Sequence, residues 1–440
     1  MKTVRFHAFS ILRQFYQTRT QLKQIRNDYF STHNFSPEDR NRLLVLTNEV
    51  VRWQGRLDLC LETALEKPLR KLLPAVHTIL RIGTYELMLD KIIPDYAAIH
   101  SSVELTKQVN PLFTGLVNGV LRELAKVDVN TLIPEDKGIG LNARWNSFPD
   151  WLVERWIDQF GAKRTKQLIS YFNQPAMLDI RLNLTEMQPD EFHSVMNEEN
   201  IILRPFEDSD RFFRVRSGGQ KIRNHPLLLD GKIAVQDRGA GGIVELLDPQ
   251  PGETVLDVCA APGTKTAYIA ERMNNEGQVL AYDIRQQRIP AINNSSSGKF
   301  SEIIRWAEKD ARTDSFPVAD RILVDAPCSG TGVIGRRPDI RWRRTPDAIN
   351  QIAVTQLEIL NNVSHFLIPG GILVYATCSL EEEENWKVVD AFLKLNEHFK
   401  VEQGGKWLPP QWIGKRGQLE TFPPRDKIDG MFAVRLKYQC

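Results

Sequence analysis

The five cysteines of this 440-residue chain, at positions 60, 259, 328, 378 and 440, include no C-x-x-C pair. That absence removes the usual spacings for a zinc site or a disulfide framework, and a reduced, cytoplasmic setting is expected. No run approaches the ~20 apolar residues of a membrane span. The basic N-terminal stretch with Lys2, Arg5, Arg13, Arg19, Lys23 and Arg26 has no sustained apolar core for secretion. An excess of charge of one sign is missing too: the formal net charge is +2, so a polyanion has to be held by local patches. One such patch is Arg336, Arg337, Arg341, Arg343 and Arg344 around Trp342, while acids gather elsewhere, as in Glu381–Glu384. Trp342 among these arginines suits base stacking and phosphate contact. A packed tryptophan beneath solvated arginines is the plain alternative.

Neither G-x-G-x-x-G nor G-x-x-x-x-G-K-[ST] follows the most prominent strand candidate, so dinucleotide and nucleoside-triphosphate binding lose their usual fingerprints. What stands there is Thr254–Lys265, TVLDVCAAPGTK: a β-branched and leucine-rich run closing on an aspartate, then a loop of small residues, then the helical stretch Thr266–Met273. A loop this small lets backbone amides approach a ligand, and the helix behind presents its positive end. A nucleoside cofactor with little phosphate fits, and S-adenosyl-L-methionine is such a molecule. Its ribose needs an acid; Asp283 ends the next strand, Gly277–Asp283, at close to the ~20-residue offset expected. Asp310 follows Ile303–Ala307, where an adenine edge would lie.

Two further strands end in cysteine-bearing loops. Arg321–Gly332, RILVDAPCSGTG, closes on Asp325 and Cys328, and Gly371–Thr377 runs into Cys378 and Ser379. Parallel strands of an open α/β sheet deliver their ends to one ligand-binding edge, so two thiols and a carboxylate are expected beside the cofactor. Carbon methylation of a pyrimidine wants this grouping. C5 of cytosine is a poor nucleophile until a thiolate adds at C6. An aspartate with a burial-raised pKa would ease that addition by placing a proton on N3, a role expected of Asp325. Physics alone leaves open which cysteine attacks. Amino-group methylation would need an N-P-P-Y-like or D-P-P-Y-like strand end, which DAPC is not.

Upstream, residues 1 to about 130 read as helical: Leu43, Leu44, Leu46, Val50, Val51 and Trp53 line one face behind the start signal Ser36-Pro37-Glu38-Asp39, and Pro94 and Pro111 punctuate. Gly115-x-x-x-Gly119 reads as close helix packing. Between about 135 and 230 strands and helices alternate, and Arg181, Arg211, Arg214 and Arg216 face either a nucleic-acid backbone or solvent at strand edges.

These residues resemble known families. IPDYAAIHSSVELTKQVNP followed by TGLVNGVLREL is similar to the NusB-like RNA-binding domain. VLDVCAAPGTK, DAPCSGTG, YATCSL and the terminal IDGMFAVRL, in this order, resemble the RNA cytosine-5 methyltransferases of the RsmB/NOP2 (Sun) family, most closely its RsmB type. The resemblance implies a multidomain chain: an N-terminal all-α NusB-like RNA-binding domain over 1–135, a small α+β RNA-binding module over 136–230, and a C-terminal α/β Rossmann-like class I S-adenosylmethionine-dependent methyltransferase domain over 231–440. It implies that Cys259, Ala260, Ala261, Pro262, Gly263, Thr264, Lys265, Asp283, Asp310 and Asp325 line the cofactor site. It implies also that Cys378 is the nucleophile, that Cys328 assists product release, and that Arg336–Trp342 faces the substrate. The expected substrate is a cytosine of 16S ribosomal RNA; transfer RNA, or a non-catalytic role in ribosome assembly, are the alternatives. Neither a membrane nor a metal is expected as a partner, and the chain is expected to be monomeric. Thr264 departs from the family's usual second glycine, which is tolerable if its φ stays negative.

Overall fold

The computed structural model describes residues 3–133, 139–286, 289 and 301–439, the side chains of 139–141 excepted. The boundary expected at 135/136 and Cys440 lie outside the described residues. The chain divides into two compact units, one formed by Met1–Gln174 with Ile334–Arg343, the other by Pro175–Val333 with Arg344–Cys440.

The first unit is helical. Ser36 caps the helix Pro37–Arg52 by accepting from the Asp39 amide at 3.1 Å, with Pro37 in the first turn where its missing N–H costs nothing. The helix then buries Leu43, Leu46, Val50 and Val51 in a core with Phe9, Leu12, Leu80 and Leu121. Gly115 and Gly119 do not mediate close packing: a Cβ at either would meet only open space. The expected RNA-facing patch is corrected at Arg341, which is buried in this unit, and at Trp342, which is half-buried there. Arg341 is 1% exposed and donates to the carbonyls of Phe172 (2.9 Å) and Ser147 (3.1 Å) and to Asn173 Oδ1 (2.8 Å), over the ring of Phe148. Trp342 packs on the helical core and donates to the Val51 carbonyl at 2.8 Å. Arg343 lies over Phe15 and Arg337 donates to Gln21. Buried carbonyls at helix ends need donors, and a guanidinium supplies several at once.

The second unit carries two sheets among its described residues. Strands β1 (Leu178–Leu182), β2 (Ile202–Pro205), β3 (Phe212–Ser217) and β4 (Ile233–Val235) form an antiparallel sheet ordered β2-β3-β1-β4. Of the four arginines expected at strand edges or a nucleic-acid backbone, two are not available to nucleic acid: Arg181 is buried against Glu271 (2.9 Å) and Arg214 against Asp179 (2.8 Å). Lone buried guanidinium groups are too costly to leave unpaired, which is why the strand arginines turn inward to acids.

The larger sheet contains β5 (Thr254–Asp257), β6 (Gln278–Asp283), β7 (Ile304–Glu308), β8 (Ala319–Asp325), β9 (Leu367–Thr377), β10 (Phe399–Glu402), β11 (Leu419–Glu420) and β12 (Phe432–Tyr438). The order is β10-β12-β9-β8-β5-β6-β7, parallel from β9 to β7, with β12 antiparallel to β9 and β11 paired to β12. Its parallel strands are apolar runs such as Ile322–Val324 and Leu373–Ala376, as burial on both faces requires. Chain order reverses between β5 and β8, so the crevice beyond their C-terminal ends is the ligand position of an open α/β sheet.

Candidate active site

Four strand ends converge on that crevice. After β5, Ala260–Gly263 makes a tight turn in which the Gly263 amide donates to the Ala260 carbonyl at 2.7 Å. Gly263 takes φ +100°, a conformation that strains a residue with a Cβ, and Thr264 starts the helix Thr264–Arg272. Thr264, as the first helical residue, keeps the negative φ on which its tolerance was conditioned. Ala260, Ala261, Pro262, Thr264, Lys265 and Asp325 line one cavity of about 200 Å³, together with Asp257 and Gln236. Cys259, Gly263, Asp283 and Asp310 do not line it. Cys259 packs against the sheet core, and Asp283 is buried at the end of β6 with its Oδ1 accepting from the Arg285 amide. Asp310, beyond β7, is held by Arg312 at 2.6 Å, which keeps its carboxyl below the usual range.

Beside the cavity lie the sulfurs. β8 and β9 pair in parallel with Asp325 opposite Ala376, so the loops that follow bring Cys328 Sγ and Cys378 Sγ to 3.2 Å, both thiols free. The hydrogen bond to Cys378 and burial, followed by charge interactions with Cys378 and, behind these, Glu384, raise the Cys328 thiol well above its ordinary pKa. Burial disfavours the Lys265 ammonium, but Asp325 at 2.6 Å and the nearby Cys378 outweigh it and hold Lys265 charged.

The enclosure expected of Asp325 is not found: its side chain is 31% exposed and ion-paired to Lys265 at 2.6 Å. Asp257 has that burial: it is fully enclosed, and desolvation pushes it to about 7 although Thr266 donates to its Oδ2 at 2.7 Å. Its Oδ1 and both amide atoms of Gln236 are buried without a protein partner. Buried polar atoms are rarely orphaned, so these await a ligand or water.

The comparisons bear on this geometry. The model for the 16S rRNA methyltransferase RsmB/F family matches residues 244–437, that for the NusB family 2–126, and that for the RsmF/B-like ferredoxin-like domain 148–219. The probable ribosomal RNA small subunit methyltransferase B of Synechocystis sp. is 32% identical, across 99% of this chain and 100% of that relative. The chain belongs to the ribosomal RNA small subunit methyltransferase B (RsmB) family. The probable ribosomal RNA small subunit methyltransferase B of Bacillus subtilis is 30% identical over 99% of this chain and 98% of its own. Two solved structures share the fold: PH0851 (TM-score 0.81, 24% identity, 97% of each chain), and NSun6 from Pyrococcus horikoshii with SFG (0.59, 20%, 67% of this chain and 99% of that one).

Several residues that hold this RsmB-family site escaped the sequence reading. Arg344 donates from Nε to the Ser329 carbonyl (2.9 Å) and from Nη2 to that of Cys328 (3.1 Å), so the one arginine of the expected patch outside the helical unit supports the thiol loop. Gly332 abuts Gly430, and the Gly332 amide donates to the Cys378 carbonyl at 2.9 Å. A Cβ at 332 would overlap the Gly430 carbonyl and stand 2.9 Å from that of Cys378, both rigid backbone. Gly332→Ala is expected to cost about 1–3 kcal/mol, as overpacking does, and to slow thiol addition more than cofactor binding, read by urea unfolding beside single-turnover assays. An unaltered rate would show that the loops tolerate displacement.

Asp257 gives a pH signature. Its folded pKa of about 7 lies above the ordinary 3.8, so the folded state binds the proton more tightly. The stability this contributes is complete below about pH 4 and is lost as pH rises through 7. Asp257→Asn keeps an acceptor for Thr266 and removes the buried charge. The ligand-free variant is expected to be more stable than wild type at pH 8, by up to about 4 kcal/mol, with little difference at pH 4. Parallel melting curves across that range contradict it.

Proposed function

We propose that this protein transfers a methyl group from S-adenosyl-L-methionine to C5 of a cytosine in 16S ribosomal RNA through a bond between Cys378 and C6 of the base. The observation that carries the reading is the 3.2 Å approach of two free thiols at the ends of adjacent parallel strands, next to the Lys265–Asp325 pair. The ribosomal RNA small subunit methyltransferases B among its relatives support the RNA class.

The residues present fit the cofactor. Small side chains at 260 and 261, the helix start behind them and the orphaned Asp257 Oδ1 make a polar cradle at the switch point. The loop from Cys259 to Lys265, with Asp325, would hold the amino-acid end at the cavity, and the rest of the cofactor would extend beyond that cavity, its ribose to Asp283 at the end of β6 and its adenine edge to Asp310 past β7. When bound, the cofactor supplies a methyl group on a positively charged sulfur.

The chain's own residues handle the base and its protons. The target nucleotide leaves its stack to expose its face. Cys378 Sγ bonds to C6, and the electron pair displaced from the C5–C6 bond makes C5 nucleophilic. Once C5 carries the methyl group, Cys328, its own proton having first passed to solvent, accepts the C5 proton, directly or through a water. The electrons of that C–H bond re-form C5–C6 as the Cys378–C6 bond breaks, which returns Cys328 as a thiol and Cys378 as a thiolate. Lys265 and Asp325 border both thiol and cavity, where they orient the base.

The test is to incubate labelled cofactor with deproteinised 16S rRNA, small-subunit particles and transfer RNA, then map the product. A single 5-methylcytosine in 16S rRNA, free or in the particle, is expected. Label on an exocyclic nitrogen, or in transfer RNA alone, overturns the reading.

A further inference from the structure

Gln236 has no part in the chemistry above, and it stands where the small sheet hands over to the large one. Its backbone N–H donates to the Asp179 carbonyl at 3.2 Å, one residue past Val235, the last of β4. The next residue, Asp237, caps the helix Arg238–Leu247 by accepting from the Gly239 amide at 2.9 Å. Fixed on both sides, Gln236 is 4% exposed and lines the cavity of about 200 Å³ beside the loop after β5. Its side-chain Nε2 and Oε1 are both buried without a protein partner, as is Oδ1 of Asp257 in the same cavity. An amide satisfied at one atom alone leaves the other buried and unpaired, so the occupant that suits it offers an acceptor and a donor together. The charged groups narrow the choice, because Lys265 lines the cavity together with Asp257 and Asp325. Groups of both signs match a zwitterion, whereas a nucleobase edge or a ribose diol brings them no countercharge.

We propose that Gln236 is a binding residue for the α-amino-acid end of the cofactor, its Oε1 accepting from the ammonium and its Nε2 donating to the carboxylate. This deepens the reading above and rests on it for the identity of the cofactor. Asp257 Oδ1 is a second acceptor for the same ammonium. The small sheet therefore has a share in the cofactor site, through the residue that follows β4.

The test compares, without RNA, two probes that differ at that end. S-adenosylhomocysteine carries the amino-acid group; 5′-methylthioadenosine keeps the nucleoside and the sulfur and lacks it. Binding of each to the full-length protein is read by titration calorimetry. Gln236→Met keeps the length of the side chain and removes both polar atoms. Its Kd for S-adenosylhomocysteine is expected to rise at least about tenfold, as loss of hydrogen bonds to charged groups allows. Its Kd for 5′-methylthioadenosine is expected to stay as in wild type, which also reports that the variant is folded. Gln236→Ala opens the space instead of filling it and is expected to give the same pattern, so the result does not hang on the packing of one variant. Equal weakening of both probes in both variants marks a structural role and overturns the proposal. So does S-adenosylhomocysteine binding that neither variant weakens, the result expected if water alone holds the amide. Wild-type protein that binds neither probe overturns the cofactor reading itself, whereas wild-type binding with unaffected variants overturns only the role of Gln236, so the two failures are distinguishable.

Discussion

Cys378→Ala is expected to abolish methyl transfer, by at least about 10³-fold, and to leave no covalent RNA adduct. Cys328→Ala is expected to bind RNA, add to the base, and stall with the protein joined to unmodified-sequence RNA. The difference follows from what each sulfur does. Without addition at C6, C5 has no electron density to offer. Without removal of the C5 proton, the ring cannot regain its double bond, and the Cys378–C6 bond has no way to break. The two thiols lie 3.2 Å apart, so one handles the proton beside the carbon next to the one the other has attacked. A denaturing gel of protein incubated with cofactor and ordinary RNA separates the outcomes: a shifted band in Cys328→Ala, none in Cys378→Ala. The reverse pattern exchanges the roles.

Arg341→Ala carries the second large effect, on stability rather than on RNA. The side chain is enclosed in the helical unit, donates to Phe172, Ser147, Asn173 and the Arg52 carbonyl, and lies over Phe148 with its guanidinium 3.9 Å from the ring centre. Its removal strands several buried carbonyls that no solvent reaches. A loss of about 3–5 kcal/mol in the unfolding of that unit is expected. Arg341→Lys does not rescue it, since an ammonium cannot span four acceptors. The salt dependence of RNA binding by the remaining folded protein is expected to stay unchanged, whereas loss of a phosphate contact lowers the slope by about 1. A lowered slope with normal stability returns Arg341 to the RNA surface.

These two cases mark where the sequence was readable. The strand, small-residue loop and helix of 254–272 announce themselves locally, by run length, turn chemistry and helix period, and so do the two strand ends that carry Cys328 and Cys378. Because a parallel sheet aligns its C-terminal edges, reading the strands also places the thiols. Arg337, Arg341, Trp342 and Arg343 defeated local reading because their partners lie 169 to 328 residues away. A cationic run looks the same whether solvent or a helical core surrounds it. Glu384 was hidden in an acidic run, in which only the fold turns one member onto the loops. Asp257 and Asp325 both end strands, and only enclosure separates the buried acid from the ion-paired one.

The central claim is that Cys378 forms the bond to the base. Protein and cofactor incubated with 16S rRNA containing 5-fluorocytosine, whose fluorine cannot leave as a proton does, are expected to yield a single nucleotide–peptide cross-link, and fragmentation is expected to locate it on Cys378. A cross-link on Cys328, or methylated RNA released with no cross-link at all, contradicts the mechanism.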